Sequence, residues 1–390
     1  MVLCEENKNS LTMKELSRQR ILGYAESFKE LADCFVQQCE ISDTDRKTVF
    51  ENIKLWENRQ VIGSNLDEMA KIMRQLSMDL YAYLPMDAKQ MRQLSHGLKM
   101  ENVYLEGACY MPISGSKKAL ALTLYTPKRD GVLSENVASL LSVLLKKKIK
   151  VSINSPYVID RTKQIYLFVE EPKYTALTGY ARATKENEEI SGDNYSVLES
   201  ERGILSLILS DGTGSGRKAC EESGQVLDMM EKMIETGYDP KQAISLVNAA
   251  VCAGDNGTSH PTLDFCMLDL YEGTCDIYKI GAAASFLKRQ RETEIVMGEN
   301  LPLGVFQKAE YMQKSFALMD GEYVIMMTDG VLDAFSEGGF ELVVENLLEQ
   351  VDSPNPESIA NCILQKAIFE SKGHIRDDMT VLVAGIFEVP

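Results

Sequence analysis

A chain of 390 residues exceeds one ordinary domain of roughly 100–200 residues, so two or three units are expected. Its 45% hydrophobic and 25% charged content excludes a disordered chain and suffices for a sizeable core. With 41 basic and 58 acidic residues the net charge is −17, which argues against a nucleic-acid binder and fits a protein that gathers carboxylates around cations.

No run of about 18 apolar residues is present, and Met1 to Ser10 is polar, without the apolar centre of a secretory signal. Nine cysteines are scattered without CxxC pairs, and Cys34 and Cys39 fall on one expected helix. Reduced thiols in the cytoplasm are therefore expected, and zinc is disfavoured.

Residues 1–100 read as a helical linker region. Ile21, Ala25, Phe28, Ala32 and Phe35 line one helical face. Leu66, Met69, Met73, Leu76 and Leu80 form a short coiled-coil seam. Core packing is the plainer reading of that seam; a dimerising or signalling helix is the sharper one. Met91, Leu94 and Leu98 continue a helix after Pro85.

Residues 101–172 read as a small α/β regulatory unit. Val103–Met111 and Ala119–Tyr125 are strand-like about a Gly115-Ser116-Lys117 turn, and Ser134–Lys148 is an amphipathic helix. Lys146, Lys147, Lys148 and Lys150 suit the end of that helix, where cations complement its dipole, better than a membrane-surface patch. Val151–Ile153 and Ile165–Val169 are again strand-like.

Residues 173–390 carry short apolar runs at Ile204–Leu209, Phe265–Leu270, Val324–Met327 and Val381–Ile386, the length of strands. Two successive helices, about 217–236 and 240–252, lie among them, the second opened by Pro240. The expected fold class is α+β, with two packed sheets and helices outside.

Four Asp-Gly pairs occur, and Asp-Gly is first a turn signal. Asp130-Gly131 and Asp320-Gly321 read as turns. Asp211-Gly212 and Asp329-Gly330 instead end hydrophobic strands, where a carboxylate is costly unless a cation meets it. Glycine lets the backbone carbonyl approach the same cation. Ser191-Gly192-Asp193-Asn194 precedes a strand expected to pair with 204–209, and Asp377-Asp378 opens the last apolar run. Adjacent carboxylates repel unless compensated. Turn capping explains any one of these aspartates but explains the set poorly. Oxygen ligands suit Mg²⁺ or Mn²⁺.

Thr178-Gly179-Tyr180-Ala181-Arg182-Ala183, Ser191-Gly192-Asp193, Ser210-Asp211-Gly212-Thr213-Gly214-Ser215-Gly216, Asn300-Leu301-Pro302-Leu303-Gly304, Thr328-Asp329-Gly330 and Asp377-Asp378-Met379-Thr380 occur in one order over residues 173–390. In this the chain resembles the metal-dependent protein phosphatase (PPM) family, and within it the stage II sporulation protein E family. The resemblance implies a PPM-type β-sandwich flanked by helices. It also implies a metal-dependent protein serine/threonine phosphatase with two Mn²⁺ or Mg²⁺ ions. Asp193, Asp211, Asp329 and Asp377 match the family's metal-ligating carboxylates, Gly212 contributes its carbonyl, and Asp378 is a further candidate metal ligand, the weaker of its pair because many relatives have Asn there. Asp211 and Asp329 would act through a metal-bound water whose lowered pKa supplies the nucleophile.

Thr213 stands where other relatives have Met or a His that serves as general acid. Of the three histidines, His96, His260 and His374, only His374 lies close to a carboxylate motif. Gly212-x-Gly214-x-Gly216 is neither a dinucleotide fingerprint nor a P-loop.

The implied substrate is a phosphorylated anti-sigma-factor antagonist, whose dephosphorylation activates a sporulation sigma factor. A homodimer and a cell-division protein are further implied partners. Membrane spans belong to the family's full-length members and would attach the chain to the membrane or division septum. The rival reading is a septum-associated scaffold with a degenerate phosphatase core. Retention of all four carboxylates disfavours it. Hydrolysis of a small phosphoester is a weaker third reading. Residues 11–172 are expected to bias the 217–252 helix pair between metal-poor and metal-competent positions, through dimerisation at the 66–80 seam.

Overall fold

Small residues make the first helical contacts in the computed structural model, which describes residues 21–33, 62–74, 77, 84–114, 117–152, 155–200, 203–254, 259–290, 292–335, 340–351 and 353–389. Helix α1 (21–33) buries Ala25 and Ala32, helix α2 (62–74) buries Ala70, and Lys29 Nζ reaches Asp67 at 2.7 Å. Met69 of the expected seam is 45% exposed, so the buried face of α2 is turned toward Ala70. Phe35, Cys34, Cys39, Leu76, Leu80 and the Gly115-Ser116 turn lie outside the described residues.

The chain separates into two compact units, Met1–Glu171 and Pro172–Pro390. After the first two helices come β1 (Leu84–Pro85), α3 (Ala88–Met100), β2 (Tyr104–Ser114), β3 (Lys117–Tyr125), β4 (Val132–Leu133), α4 (Ser134–Leu145), β5 (Ile149–Val151), β6 (Val158–Ile159) and β7 (Gln164–Glu170). The main sheet has the order β1-β2-β3-β7-β5. Its face is covered by α3 through Leu94 and Leu98 and by α4 through Val137 and Leu141. Helix α4 stops at Lys146, which adopts a left-handed conformation (φ 55°), and Lys147 pairs with Glu170 at 2.8 Å.

The second unit begins with β8 (Tyr174–Ala183), β9 (Asp193–Glu199) and β10 (Ile204–Asp211), followed by α5 (Gly216–Thr236) and α6 (Pro240–Gly254). Strands β11 (Leu263–Asp269), β12 (Thr274–Ile280), β13 (Ser285–Lys288), β14 (Thr293–Val296), β15 (Met312–Ala317) and β16 (Glu322–Met327) come next. Helices α7 (Asp329–Asp333), α8 (Phe340–Gln350) and α9 (Pro356–Glu370) precede the closing β17 (Met379–Glu388). Two antiparallel five-stranded sheets result, ordered β15-β12-β11-β10-β9 and β14-β13-β16-β17-β8.

Period-two alternation explains why these strands read as continuous apolar runs. On β10, Leu207 and Leu209 face the other sheet, where Val324, Met326, Leu382 and Ala384 meet them. Ile208 points the opposite way, beneath Val226 and Met230 of α5 and Ile244 and Val247 of α6. On the far side, Ile359 and Ile363 of α9 and Val344 and Leu348 of α8 cover Ile325, Val381 and Val383. A strand buried on both faces has no polar face to show. The sandwich flanked by helices is the expected fold class. The second helix layer, α8 and α9, was not anticipated from the apolar runs.

Candidate functional site

The acidic residues singled out above gather at one end of the sandwich. Asp193 opens β9 and Asp211 closes β10, and the antiparallel register places their Cα atoms directly opposite each other. Asp329 follows β16 in the second sheet, and Asp377 and Asp378 precede β17, its neighbour in that sheet. Gly330 packs so closely on the Asp378 backbone that a Cβ there would lie 2.2 Å from the carbonyl oxygen. Gly212 is equally constrained, since its Cβ would stand 2.0 Å from the Ala219 carbonyl of α5. Both Asp-Gly pairs are therefore close-approach sites as well as turns.

Asp193 is 1% exposed. Its Oδ2 accepts hydrogen bonds from Thr328 Oγ1 (2.9 Å) and Thr380 Oγ1 (2.7 Å). Thr328 Oγ1 in turn accepts the Thr380 amide at 2.9 Å, which directs the Thr328 proton to Asp193. Asp193 Oδ1 is buried without a hydrogen-bond partner. Burial pushes this carboxyl up to about 6 against the pull of the two threonines, with the Asp378 charge adding to the rise.

Asp211 is pushed up to about 9, first by burial and then by the charges of Asp193 and Asp329. Its amide donates to Thr262 Oγ1 at 3.0 Å, and its carbonyl accepts the Thr262 amide at 2.8 Å, so the residue leading into β11 holds the strand end in place. Asp329 stands at the mouth, yet its carboxyl is also raised, by the protein packed around it and then by Asp377 and Asp333.

Asp377 is partly exposed, and Lys185 Nζ lies 3.7 Å from its Oδ1. Asp378 is 3% exposed and differs in its bonding. Its Oδ1 accepts the Lys185 amide (2.9 Å) and its Oδ2 accepts the Gly192 amide (2.7 Å), tying the Ser191-Gly192-Asp193 turn to the second sheet.

Burial and the neighbouring carboxylates both disfavour ionising all of these groups at once. Among the described residues no three His, Cys, Asp or Glu side chains stand close enough together to enclose an ion. The donor set nevertheless fits a hard divalent cation: all-oxygen ligands, an unpartnered buried Asp193 Oδ1, and carboxyls raised by burial and then by one another.

A cleft of about 680 Å³ opens beside Asp377, lined in part by Lys372, His374 and Arg376. His374 Nδ1 lies 3.3 Å from Glu186 Oε1, so its ring is engaged at the rim. Thr213 Oγ1 accepts the His260 amide at 2.7 Å. Thr328 and Thr380 fall inside motifs read from the sequence without a role of their own; Thr328 directly precedes Asp329 and Thr380 lies two residues after Asp378, and that adjacency is the signal.

The family model described as stage II sporulation protein E matches residues 201–387. Stage II sporulation protein E of Bacillus subtilis (strain 168) is 25% identical over 334 residues, which are 85% of this chain and 40% of that protein. The protein of the same name from Priestia megaterium is 32% identical over 212 residues, 54% of this chain and 36% of its own length. The chain thus spans two-fifths or less of the length of these curated relatives. Among solved structures, the PP2C phosphatase domain with a fragment of the regulatory domain of the B. subtilis cell fate determinant is similar, with a TM-score of 0.66 and 25% identity. That match covers 89% of this chain and all of the solved chain.

Proposed function

We propose that this chain, whose residues 201–387 match the stage II sporulation protein E family model, is a PP2C-type phosphatase of that family and hydrolyses phosphoserine or phosphothreonine on a protein. The substrate in this reading is a phosphorylated anti-sigma-factor antagonist. The observation that carries it is the meeting of Asp193 and Asp211 from one sheet with Asp329 and Asp377 from the other. Asp193, Asp211, Asp329, Asp377 and the Gly212 carbonyl would hold two Mn²⁺ or Mg²⁺ ions. A divalent pair there supplies Lewis-acid polarisation of the phosphoryl group and an acidified water at neutral pH.

The chain's own residues do the rest. Thr328 and Thr380 fix Asp193 Oδ2 and leave Oδ1 free to face a cation. Asp378 spends both oxygens on amides, so it is a positioning residue for the Asp193 turn. Thr213 cannot act as a general acid, because an aliphatic hydroxyl is too weak an acid; its oxygen accepts the His260 amide. Leaving-group protonation then falls to metal-bound water, another residue or solvent. The cleft beside Asp377 would take the phosphoprotein chain, with Lys372 and Arg376 near the phosphate.

The test is Mn²⁺-dependent phosphate release from a panel of phosphoproteins and small phosphoesters. Asp211→Asn should lose more than about 99% of turnover at saturating Mn²⁺ while keeping its fold, because a ligand goes and a repulsive charge goes with it. Wild-type turnover by that variant would sink the assignment. Equal turnover on small esters and phosphoproteins would remove the protein substrate.

A further inference from the structure

Beneath the carboxylates the sandwich buries a lysine. Lys279 on β12 is 0% exposed, and so is Ser285, the first residue of β13; Asp264 on β11 is 1% exposed. Asp264 and Lys279 are directly opposed in one sheet, whereas Ser285 belongs to the other. Lys279 Nζ donates to Asp264 Oδ2 (2.5 Å) and to Ser285 Oγ (2.8 Å), and Ser285 Oγ donates to Asp264 Oδ2 (2.7 Å). The triangle is closed across the two sheets.

Such a group is a poor source of stability. Desolvating a lysine and a carboxylate costs several kcal/mol each in general, and well-packed apolar residues often do as well or better. Its location suggests another role. Asp264 pairs with Leu209, two residues before Asp211, and Thr262, just before the strand that carries Asp264, grips Asp211 itself. Across the interface, Phe286, next to Ser285, pairs with Ile325 on the strand that delivers Asp329. Asp264 Oδ1 is buried without a partner, and Asp264 lines a cavity of about 30 Å³ together with Asp211, Thr328 and Asp329. That is room for a single water.

We propose that Asp264, Lys279 and Ser285 are positioning residues: a buried clamp that sets the separation between the sheets, and hence between Asp211 and Asp329, completed by one water in the cavity. The inference rests on the metal-centre reading above. It predicts that the clamp governs divalent-ion affinity more than it governs folding. Outer-shell contacts of metal sites commonly act in this way, with losses of about 10–100-fold when removed.

The experiment uses the full chain and Mn²⁺ alone, without substrate. Mn²⁺ affinity is measured by calorimetry for wild type, for Ser285→Ala, and for the apolar pair Asp264→Leu with Lys279→Met, beside thermal melts of each. Ser285→Ala keeps the ion pair and frees the second sheet; its affinity should fall about tenfold with little change in melting temperature. The apolar pair should melt no lower than wild type and lose at least as much affinity. Unchanged Mn²⁺ affinity in a folded Ser285→Ala variant overturns the clamp and leaves the phosphatase reading standing. Failure of the wild-type chain to bind Mn²⁺ would instead overturn both.

Discussion

Asp193 and Asp211 are raised by the surroundings that make them candidate ligands, and that has a cost the metal-free protein must bear. A carboxyl whose folded pKa lies above its ordinary value of 3.8 favours the folded state most when protonated. Its contribution is full below the ordinary range and is lost as pH rises through the folded values, about 6 for Asp193 and about 9 for Asp211. The metal-free chain should therefore melt at progressively lower temperature between about pH 5 and pH 9. Asp211→Asn should flatten most of that slope, and added Mn²⁺ should restore stability chiefly at the alkaline end. A melting temperature in chelator that rises across this range would contradict the shared cause assigned to the two shifts.

Helix α5 is the element through which the site can be displaced. Asn194, next to Asp193, donates through Nδ2 to the Cys220 carbonyl (3.0 Å) and to Ser223 Oγ (2.9 Å), and Ser223 Oγ donates to the Gly192 carbonyl (2.5 Å). Gly212 lies against Ala219 one turn earlier. The helix thus touches both strand ends that carry Asp193 and Asp211. Ser223→Ala should cost about 1 kcal/mol, or roughly 2–4 °C in melting temperature, and weaken Mn²⁺ binding. Gly212→Ala should be harsher, at about 1–3 kcal/mol, because backbone must move to admit the methyl group. A Gly212→Ala chain with wild-type melting and turnover would refute the close approach.

The same scale shows what the sequence made legible. Strands buried on both faces, such as β10 and β16, announce themselves by composition, and the aspartates at their ends could be read from position. Helix α9 was legible too but went unread: Ile359, Ala360, Ile363, Leu364 and Ala367 recur at helical spacing behind Pro356 and the Asn355 cap. Edge strand β15 exposes Gln313, Lys314 and Ser315 and looks like a loop. Lys279 reads as a solvent-facing position on β12; only the cross-strand register reveals Asp264 opposite it. Likewise, Asp378 resembles Asp377 in the sequence, and only its two amide partners separate their roles.

At the scale of the molecule, two units share one chain, and among the described residues no helix is long and apolar enough to cross a membrane. We propose that residues 11–172 control the α5–α6 pair. The Mn²⁺ dependence of turnover should then differ between the full chain and the isolated unit from Pro172 onward, and the difference should vanish when Leu66 and Met73 are made polar. Identical metal affinity and turnover in both, over a wide range of protein concentration, would rule that control out. The pairing of β8 with β17 carries a consequence of another kind. The first strand of the phosphatase unit hydrogen-bonds along its length with the last, and Asp377 arrives only just before that last strand. On the ribosome, the opening strand must wait, its partner unmade, until nearly the whole unit has been translated. A nascent chain can hold Asp193 and Asp211 early, yet it has no enzyme to release until synthesis of the unit is all but finished.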